Sequence, residues 1–145
     1  MDTDRTLHTT RLLPFAADVI YAAFETPDHL AAWWGPAGFT NTFEVFEFRP
    51  GGRWEFVMHG PDGSHYPNRS EFQVLEPAAR VVIRHVNAPQ FTLTVQLQPA
   101  QGGTRVDWTQ TFDDPEVARA VRAICEPANE QNLDRLEALL TQAAG

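Results

Sequence analysis

Short strand-like stretches separated by turns rich in Gly and Pro fill residues 42–112, and this pattern limits the possible folds more than any other feature. Short connections join neighbouring antiparallel strands, whereas parallel strands need a long crossover. The pattern therefore predicts an antiparallel meander with an apolar face that another layer must cover. The six predicted strands are Thr42–Phe48, Arg53–His59, Arg69–Leu75, Arg80–Val86, Phe91–Leu97 and Thr104–Phe112.

A strand and two short helices are predicted before the meander. Arg5 to Leu13 shows the weak alternation of a first strand, and the apolar spacing within Asp18–Glu25 is that of a helix. A second helix begins at Thr26-Pro27-Asp28, where proline suits the first helical position. It ends at Trp33-Trp34, because the Gly-Pro pair that follows cannot continue a helix.

One long helix is predicted after the meander. Asp114 is a favourable N-cap and Pro115 suits the first helical position. Pro127 lies inside the same pattern, and we expect it to kink or restart the helix, because it removes a donor and clashes with the preceding turn. The apolar positions at helical spacing are Val117, Val121, Ile124, Cys125, Leu133, Leu136 and Leu140.

This element order predicts an α+β fold in one domain over residues 1–145, with a curved antiparallel sheet of six to seven strands wrapped around the C-terminal helix. Trp54, Phe56 and Met58 share the inner face of their strand. A strongly twisted sheet around one helix leaves a gap, which is a default ligand site. The residues predicted to line it are Trp33, Trp34, Phe39, Trp54, Phe56, Met58, Ile83, His85, Phe91, Leu93, Val95, Trp108, Gln110, Val121, Cys125, Asn129 and Leu133.

Several of these side chains have a second interpretation that the sequence leaves open. Trp33-Trp34 and Phe39 either stack on a flat ligand or close one end of the core. Asn129 and Asn132, with Gln110, either orient a polar group of the ligand or bond to solvent and nearby backbone.

The other polar motifs favour structure over chemistry. Arg49–Arg53 joins two strands with no helix start behind it, so we predict a hairpin rather than a phosphate cradle, with positive φ at Gly51 and Gly52. His59 and His65 flank the next turn and are placed to face each other across a hairpin. No histidine pair has helical metal-ligand spacing, so we expect no metal site and no cofactor.

Composition excludes several functional classes. The net charge of −8 and the pI of about 5.0 oppose binding to nucleic acid or to an anionic membrane. All 11 basic residues are arginine, which excludes Schiff-base chemistry and a phosphate-loop lysine. The single Cys125, interpreted as a core residue rather than a nucleophile, cannot form an internal disulfide and fits a reducing cytosol. No apolar stretch is long enough for a signal peptide or for membrane insertion, so we expect a cytoplasmic protein.

Four short motifs, distributed over nearly the whole chain, are Thr26–Leu30 leading into Trp33–Pro36, Arg49–Trp54, Pro77–Arg80 followed by Val81–Ile83, and Leu133–Leu136. In order and spacing they resemble the START/birch-pollen-allergen-like (SRPBCC) superfamily, and within it the branch named for the activator of heat-shock-protein-90 ATPase. The resemblance implies a helix-grip fold, in which the sheet grips the C-terminal helix around an apolar cavity. It does not imply one activity, because members carry lipids and hormones, act as cyclases or assist a chaperone.

The favoured interpretation is a small soluble protein that binds an apolar or aromatic small molecule in this cavity. Two alternatives stay open. A chaperone accessory module needs an exposed partner surface. A cyclase- or hydrolase-like enzyme needs a polar cavity residue, for which His85, Glu71 and Gln110 are the candidates. An edge strand also allows two copies to pair as a homodimer.

Overall fold

The structure is a computed structural model that describes residues 2–144, with side chains from residue 4 onward. Over this range the chain forms seven strands and four helices. In chain order they are α1 Asp2–Arg5, β1 Thr6–Leu13, α2 Ala17–Glu25, α3 Pro27–Trp33, β2 Thr40–Phe46, β3 Arg53–His59, β4 His65–Glu76, β5 Arg80–His85, β6 Phe91–Ala100, β7 Gly103–Phe112 and α4 Pro115–Ala144.

All seven strands form one curved antiparallel sheet in the order β1-β7-β6-β5-β4-β3-β2. Strands β2 to β7 are the predicted meander, and β1 pairs with β7 at the far edge. The helices α2 and α3 carry the chain from one edge strand, β1, to the other, β2. The α+β helix-grip architecture is therefore confirmed, while pairing of an edge strand with a second copy stays a prediction.

The core lies between the inner face of the sheet and the helices. Strand alternation supplies one side, where Trp54 and Phe56 are buried as predicted. The C-terminal half of α4 supplies Leu133, Leu136 and Leu140, whose spacing of three and four residues brings them to one face. The N-terminal half of α4 contributes less to this layer, because Ile124 is 71% exposed.

Among the strand boundaries that differ from the prediction, two have identifiable reasons. Strand β2 ends at Phe46 rather than Phe48, because a tight turn begins at Glu47, whose carbonyl accepts from the Arg49 N–H at 2.9 Å. Strand β4 begins at His65 rather than Arg69, although Pro67 lies within it. The early part of β4 pairs with β3 alone, and proline is tolerated where a strand has a free edge.

Both ends of the chain also depart from expectation. Arg5 ends helix α1 instead of starting β1. Helix α4 begins as predicted, with the Asp114 carboxylate accepting from the Glu116 N–H at 2.9 Å, but it does not restart at Pro127. The proline leaves the carbonyl of Ala123 without its helical donor, and water can replace that donor because Ala123 and Pro127 are both exposed.

The hairpin between β2 and β3 confirms one glycine prediction and corrects the other. Gly51 has φ +81°, as the turn requires, whereas Gly52 does not have positive φ. Gly52 is needed for space instead, since a Cβ atom there would overlap the carbonyl oxygen of Glu47. The Gly52 carbonyl also accepts from the Phe72 N–H at 2.9 Å, and this bond ties the turn to β4.

No helix among the described residues is long and apolar enough to cross a membrane.

Candidate ligand-binding site

A cavity of about 700 Å³ lies between the inner face of the sheet and the middle of α4. Its size is within the range of small-molecule sites. Trp34, Phe56, Phe91 and Trp108 provide aromatic walls. Its rim includes Tyr66, which is 47% exposed, and the exposed Ile124 on α4. The sheet and the helix therefore enclose an apolar chamber that is accessible from solvent.

The loop after α3 forms one end of the chamber, and Arg135 of α4 holds it in place. The guanidinium donates to the backbone carbonyls of Trp34, Gly35 and Pro36 at 2.9–3.0 Å. It also donates to the carbonyls of Ala32 and Phe39, both at 2.9 Å. One side chain thus binds four carbonyls of the loop and one carbonyl of α3. This fixes the positions of Trp34 and Phe39 beside the cavity.

His85 is buried in the cavity wall, where its ring stacks on Phe91 with a centroid distance of 4.6 Å and an angle of 6°. Its Nδ1 lies 2.8 Å from the Pro89 carbonyl and its Nε2 lies 2.7 Å from Oδ1 of Asn68. Both ring nitrogens are therefore occupied by the protein. Burial lowers the pKa of His85, against the opposing effect of its hydrogen bond to Pro89.

Three amides lie where α4 crosses β7. Asn129 donates from Nδ2 to Oε1 of Gln110 at 3.1 Å, and Asn132 donates to the carbonyl of Trp33 at 2.8 Å. Gln110 and Asn132 are buried and all three side chains border the cavity. The sequence left open whether these amides orient a polar group of the ligand or bond to solvent and nearby backbone. The NH₂ group of Asn132 bonds to backbone. Gln110 and Asn129 bond to each other and keep further polar atoms available.

Comparison with known proteins decides the family. A family model described as Activator of Hsp90 ATPase homolog 1-like protein matches residues 14–141. The chain belongs to this family. The match extends from the end of β1 almost to the end of α4 and so includes every residue of the cavity. No curated protein matches the sequence.

Solved structures similar to this family member share its whole fold. A protein from Nitrosomonas europaea is 22% identical with a TM-score of 0.88, covering 99% of this chain and 98% of that chain. A protein from Rhodobacter sphaeroides is 26% identical with a TM-score of 0.84, covering 96% and 93%. A protein from Mycobacterium smegmatis is 24% identical with a TM-score of 0.84, covering 99% and 95%. At these identities the likeness shows the fold.

The cavity of this family member brings together most of the side chains that the sequence predicted for it. Those that border it are Trp34, Phe39, Phe56, Met58, Ile83, His85, Phe91, Leu93, Trp108, Gln110, Cys125 and Asn129. Five others lie elsewhere: Trp33, Trp54, Val95 and Leu133 are fully buried in the main core, and Val121 packs beside a second cluster near Leu7 and Phe112. Trp33 therefore closes the core, and its indole donates to the Ala23 carbonyl at 3.0 Å.

The sequence reasoning missed the wall contributed by β4 and by the turn after β5. Tyr66, Asn68 and Ser70 border the cavity because they alternate along β4 opposite Met58, Phe56 and Trp54 of β3. Extending the alternation of β4 back through Pro67 would have found them. The turn residues Asn87, Ala88 and Pro89 also border the cavity, and no sequence pattern marks them.

Glu71, Cys125 and the pair His59 and His65 are the other candidate chemical groups, and of these Cys125 and His65 border the cavity. Glu71 is exposed and does not border the cavity. Burial raises the pKa of Cys125, which favours its thiol form. His59 and His65 face each other as predicted, with 2.7 Å between their Nδ1 atoms. Over residues 2–144 no group of three or more His, Cys, Asp or Glu side chains is placed to hold a metal ion.

Proposed function

We propose that this protein binds an apolar or aromatic small molecule in the cavity between the sheet and α4. The observation that carries the proposal is an accessible volume of about 700 Å³ whose walls are aromatic and aliphatic. Removing apolar ligand surface from water stabilises a complex by about 25 cal/mol per Å². Trp34, Phe39 and Phe91 border the cavity and are only half-buried, so a ring system can pack against them.

The geometry also supports binding rather than turnover. His85 has both ring nitrogens engaged by Pro89 and Asn68, so neither is available to move a proton. Cys125 lies in apolar surroundings that favour the unreactive thiol. Assistance to a chaperone and a cyclase- or hydrolase-like reaction stay predictions from the family resemblance. A ligand-binding measurement is therefore the first test.

The test uses N-phenyl-1-naphthylamine, an uncharged probe whose fluorescence rises in apolar surroundings. We expect saturable binding at one site per chain and energy transfer from the tryptophans, since Trp34 and Trp108 border the cavity. Native mass spectrometry of freshly purified protein reports any ligand that co-purifies. Absence of saturable binding by a cooperatively melting protein would refute the proposal.

A matched pair of variants locates the probe. Ala128 on α4 borders the cavity, and A128F fills part of it with a phenyl ring. Ala120 lies on the same helix, is exposed and does not border the cavity, so A120F adds the same ring outside the site. We expect A128F to weaken probe binding at least tenfold and A120F to leave it unchanged. Equal affinities for the two variants would place the probe outside the cavity.

A further inference from the structure

The cavity combines apolar walls with uncharged polar groups and two histidines, His65 and His85. Among the described residues that line it, none is Arg, Asp or Glu, and the chain contains no Lys. Arg135 directs its guanidinium at loop carbonyls and is not a lining residue. A charged ligand group in this chamber would lose its hydration without gaining an opposite charge, which costs several kcal/mol.

We infer that the cavity selects an uncharged ligand whose polar end both donates and accepts hydrogen bonds, as a carboxamide, a lactam or a phenol does. This inference rests on the proposed function and names the class of ligand for the same site. The recognising groups are the amides of Gln110, Asn129 and Asn132, where α4 crosses β7.

The hydrogen-bond inventory of Gln110 and Asn129 leaves one NH₂ group and one carbonyl oxygen unbonded within the described chain. Each amide has an NH₂ group and a carbonyl oxygen. The bond between Asn129 Nδ2 and Gln110 Oε1 leaves the NH₂ of Gln110 and the oxygen of Asn129 without a partner among the described residues. If both amides were rotated, the roles would exchange, yet one donor and one acceptor would still remain. The pair therefore presents a donor beside an acceptor in either assignment.

The unpartnered NH₂ group of Gln110 faces the cavity. Gln110 is only 7% exposed and lies on the inner face of β7. Its NH₂ group nevertheless keeps some accessible surface. Its remaining accessible surface must therefore open into the chamber that it lines. Asn132, 6% exposed, adds a second acceptor, because its NH₂ is already bonded to Trp33 while its oxygen is not bonded within the described chain. Asn129 and Asn132 lie three residues apart on α4 and so project from one face.

His85 offers the ligand no free ring nitrogen. Its Nδ1 and Nε2 are committed to Pro89 and Asn68, and burial opposes its protonation. The amide cluster thus offers a ligand three polar groups without a partner in the described chain, and Tyr66 and Ser70 add hydroxyl groups to the wall. A ligand that matches the cluster pairs the free groups of these amides, whereas a hydrocarbon leaves them unsatisfied.

The experiment displaces N-phenyl-1-naphthylamine with four ligands that share one ring system: 2-methylnaphthalene, 2-naphthol, 2-naphthamide and 2-naphthoate. We expect 2-naphthamide and 2-naphthol to bind about five- to tenfold more tightly than 2-methylnaphthalene, as one or two net hydrogen bonds would give. We expect 2-naphthoate, which is ionised at pH 7, to bind more weakly than the hydrocarbon. A carboxylate that binds as tightly as the carboxamide would overturn the inference.

Two substitutions assign the preference to the amides. Q110M replaces the amide by an apolar chain of similar length, and we expect the affinity ratio of 2-naphthamide to 2-methylnaphthalene to fall to near one. Q96M makes the same replacement at an exposed position on β6 and serves as the control. We expect it to keep the wild-type affinity ratio of 2-naphthamide to 2-methylnaphthalene. N129L is a second variant with the same expectation as Q110M.

The possible failures are distinguishable. If 2-methylnaphthalene displaces the probe but the carboxamide and the naphthol have no advantage, the inference is wrong and the proposed function stands. If the probe itself does not bind, the proposed function is wrong and the inference falls with it.

Discussion

Arg135 of α4 donates from Nη1 to the backbone carbonyl of Trp34 at 2.9 Å, and this contact joins the C-terminal helix to the aromatic end of the cavity. The same guanidinium reaches the carbonyls of Phe39 and Ala32. One charged fork replaces the lost hydration of these carbonyls. Asn41 adds a second donor to the Trp34 carbonyl, at 2.9 Å. The position of Trp34 therefore depends on a residue about a hundred positions further along the chain.

Replacing Arg135 tests this relationship. We expect R135M to destabilise the protein by about 2–4 kcal/mol, since several carbonyls lose a charged donor, and to weaken binding of the uncharged probe. R135K should recover only part of the stability, because an ammonium cannot reproduce the planar fork. R119M, at an exposed position on the same helix, is the control. Urea unfolding measures the stabilities, and equal unfolding free energies for R135M and R119M would contradict the assigned role.

The β2–β3 turn yields a prediction about the two adjacent glycines. G52A should cost about 2–3 kcal/mol, because its Cβ would overlap the carbonyl oxygen of Glu47. G51A should cost about 1–2 kcal/mol, because it places alanine at positive φ in open space. Chemical unfolding of the two variants gives the comparison. If G51A were the more destabilising, the turn geometry described above would be wrong.

The burial of His85 predicts how stability varies with pH. Because its pKa is lowered in the folded protein, the unfolded chain binds the proton more readily. The unfolding free energy should therefore be highest above about pH 6.5 and should fall as the pH drops below the ordinary histidine pKa of about 6.5. H85Q should flatten this fall between about pH 7 and pH 5.

The control for this pH dependence is H29Q, at an exposed position on α3, which should keep the wild-type profile. Carboxylates whose pKa is lowered by hydrogen bonding contribute in a more acidic range. Asp113 beside Arg84 and Asp62 beside Ser64 are examples, and both lose stability only as the pH approaches the range of ordinary carboxylic acids. A wild-type profile for H85Q between pH 7 and 5 would show that His85 does not cause the fall.

Local patterns sufficed to predict much of the fold. Strand β3 has its predicted limits, because Trp54, Phe56 and Met58 alternate between two clear turns. The start of α4 was equally predictable from Asp114 and Pro115. In each case residues close in sequence determine the structure, so the signal is complete within a few positions.

The contacts that shape the cavity were harder to predict, because they depend on how distant elements are oriented. The bond between Gln110 and Asn129 depends on how α4 is rotated against β7, and alternation alone gives no such rotation. The pairing of His85 with Asn68 depends on β4 continuing through Pro67, which local reasoning treats as a strand breaker. The aromatic character of the site was therefore predictable, and its hydrogen bonding was not.

The most direct test of the central claim follows the four tryptophan indole N–H signals by NMR during titration with 2-naphthamide. Trp34 and Trp108 border the cavity, whereas Trp33 and Trp54 are buried in the core. Ligand binding in the cavity predicts saturable shifts that are largest for Trp34 and Trp108. Unchanged indole signals at millimolar ligand, or shifts confined to Trp33 and Trp54, would contradict a ligand site between the sheet and α4.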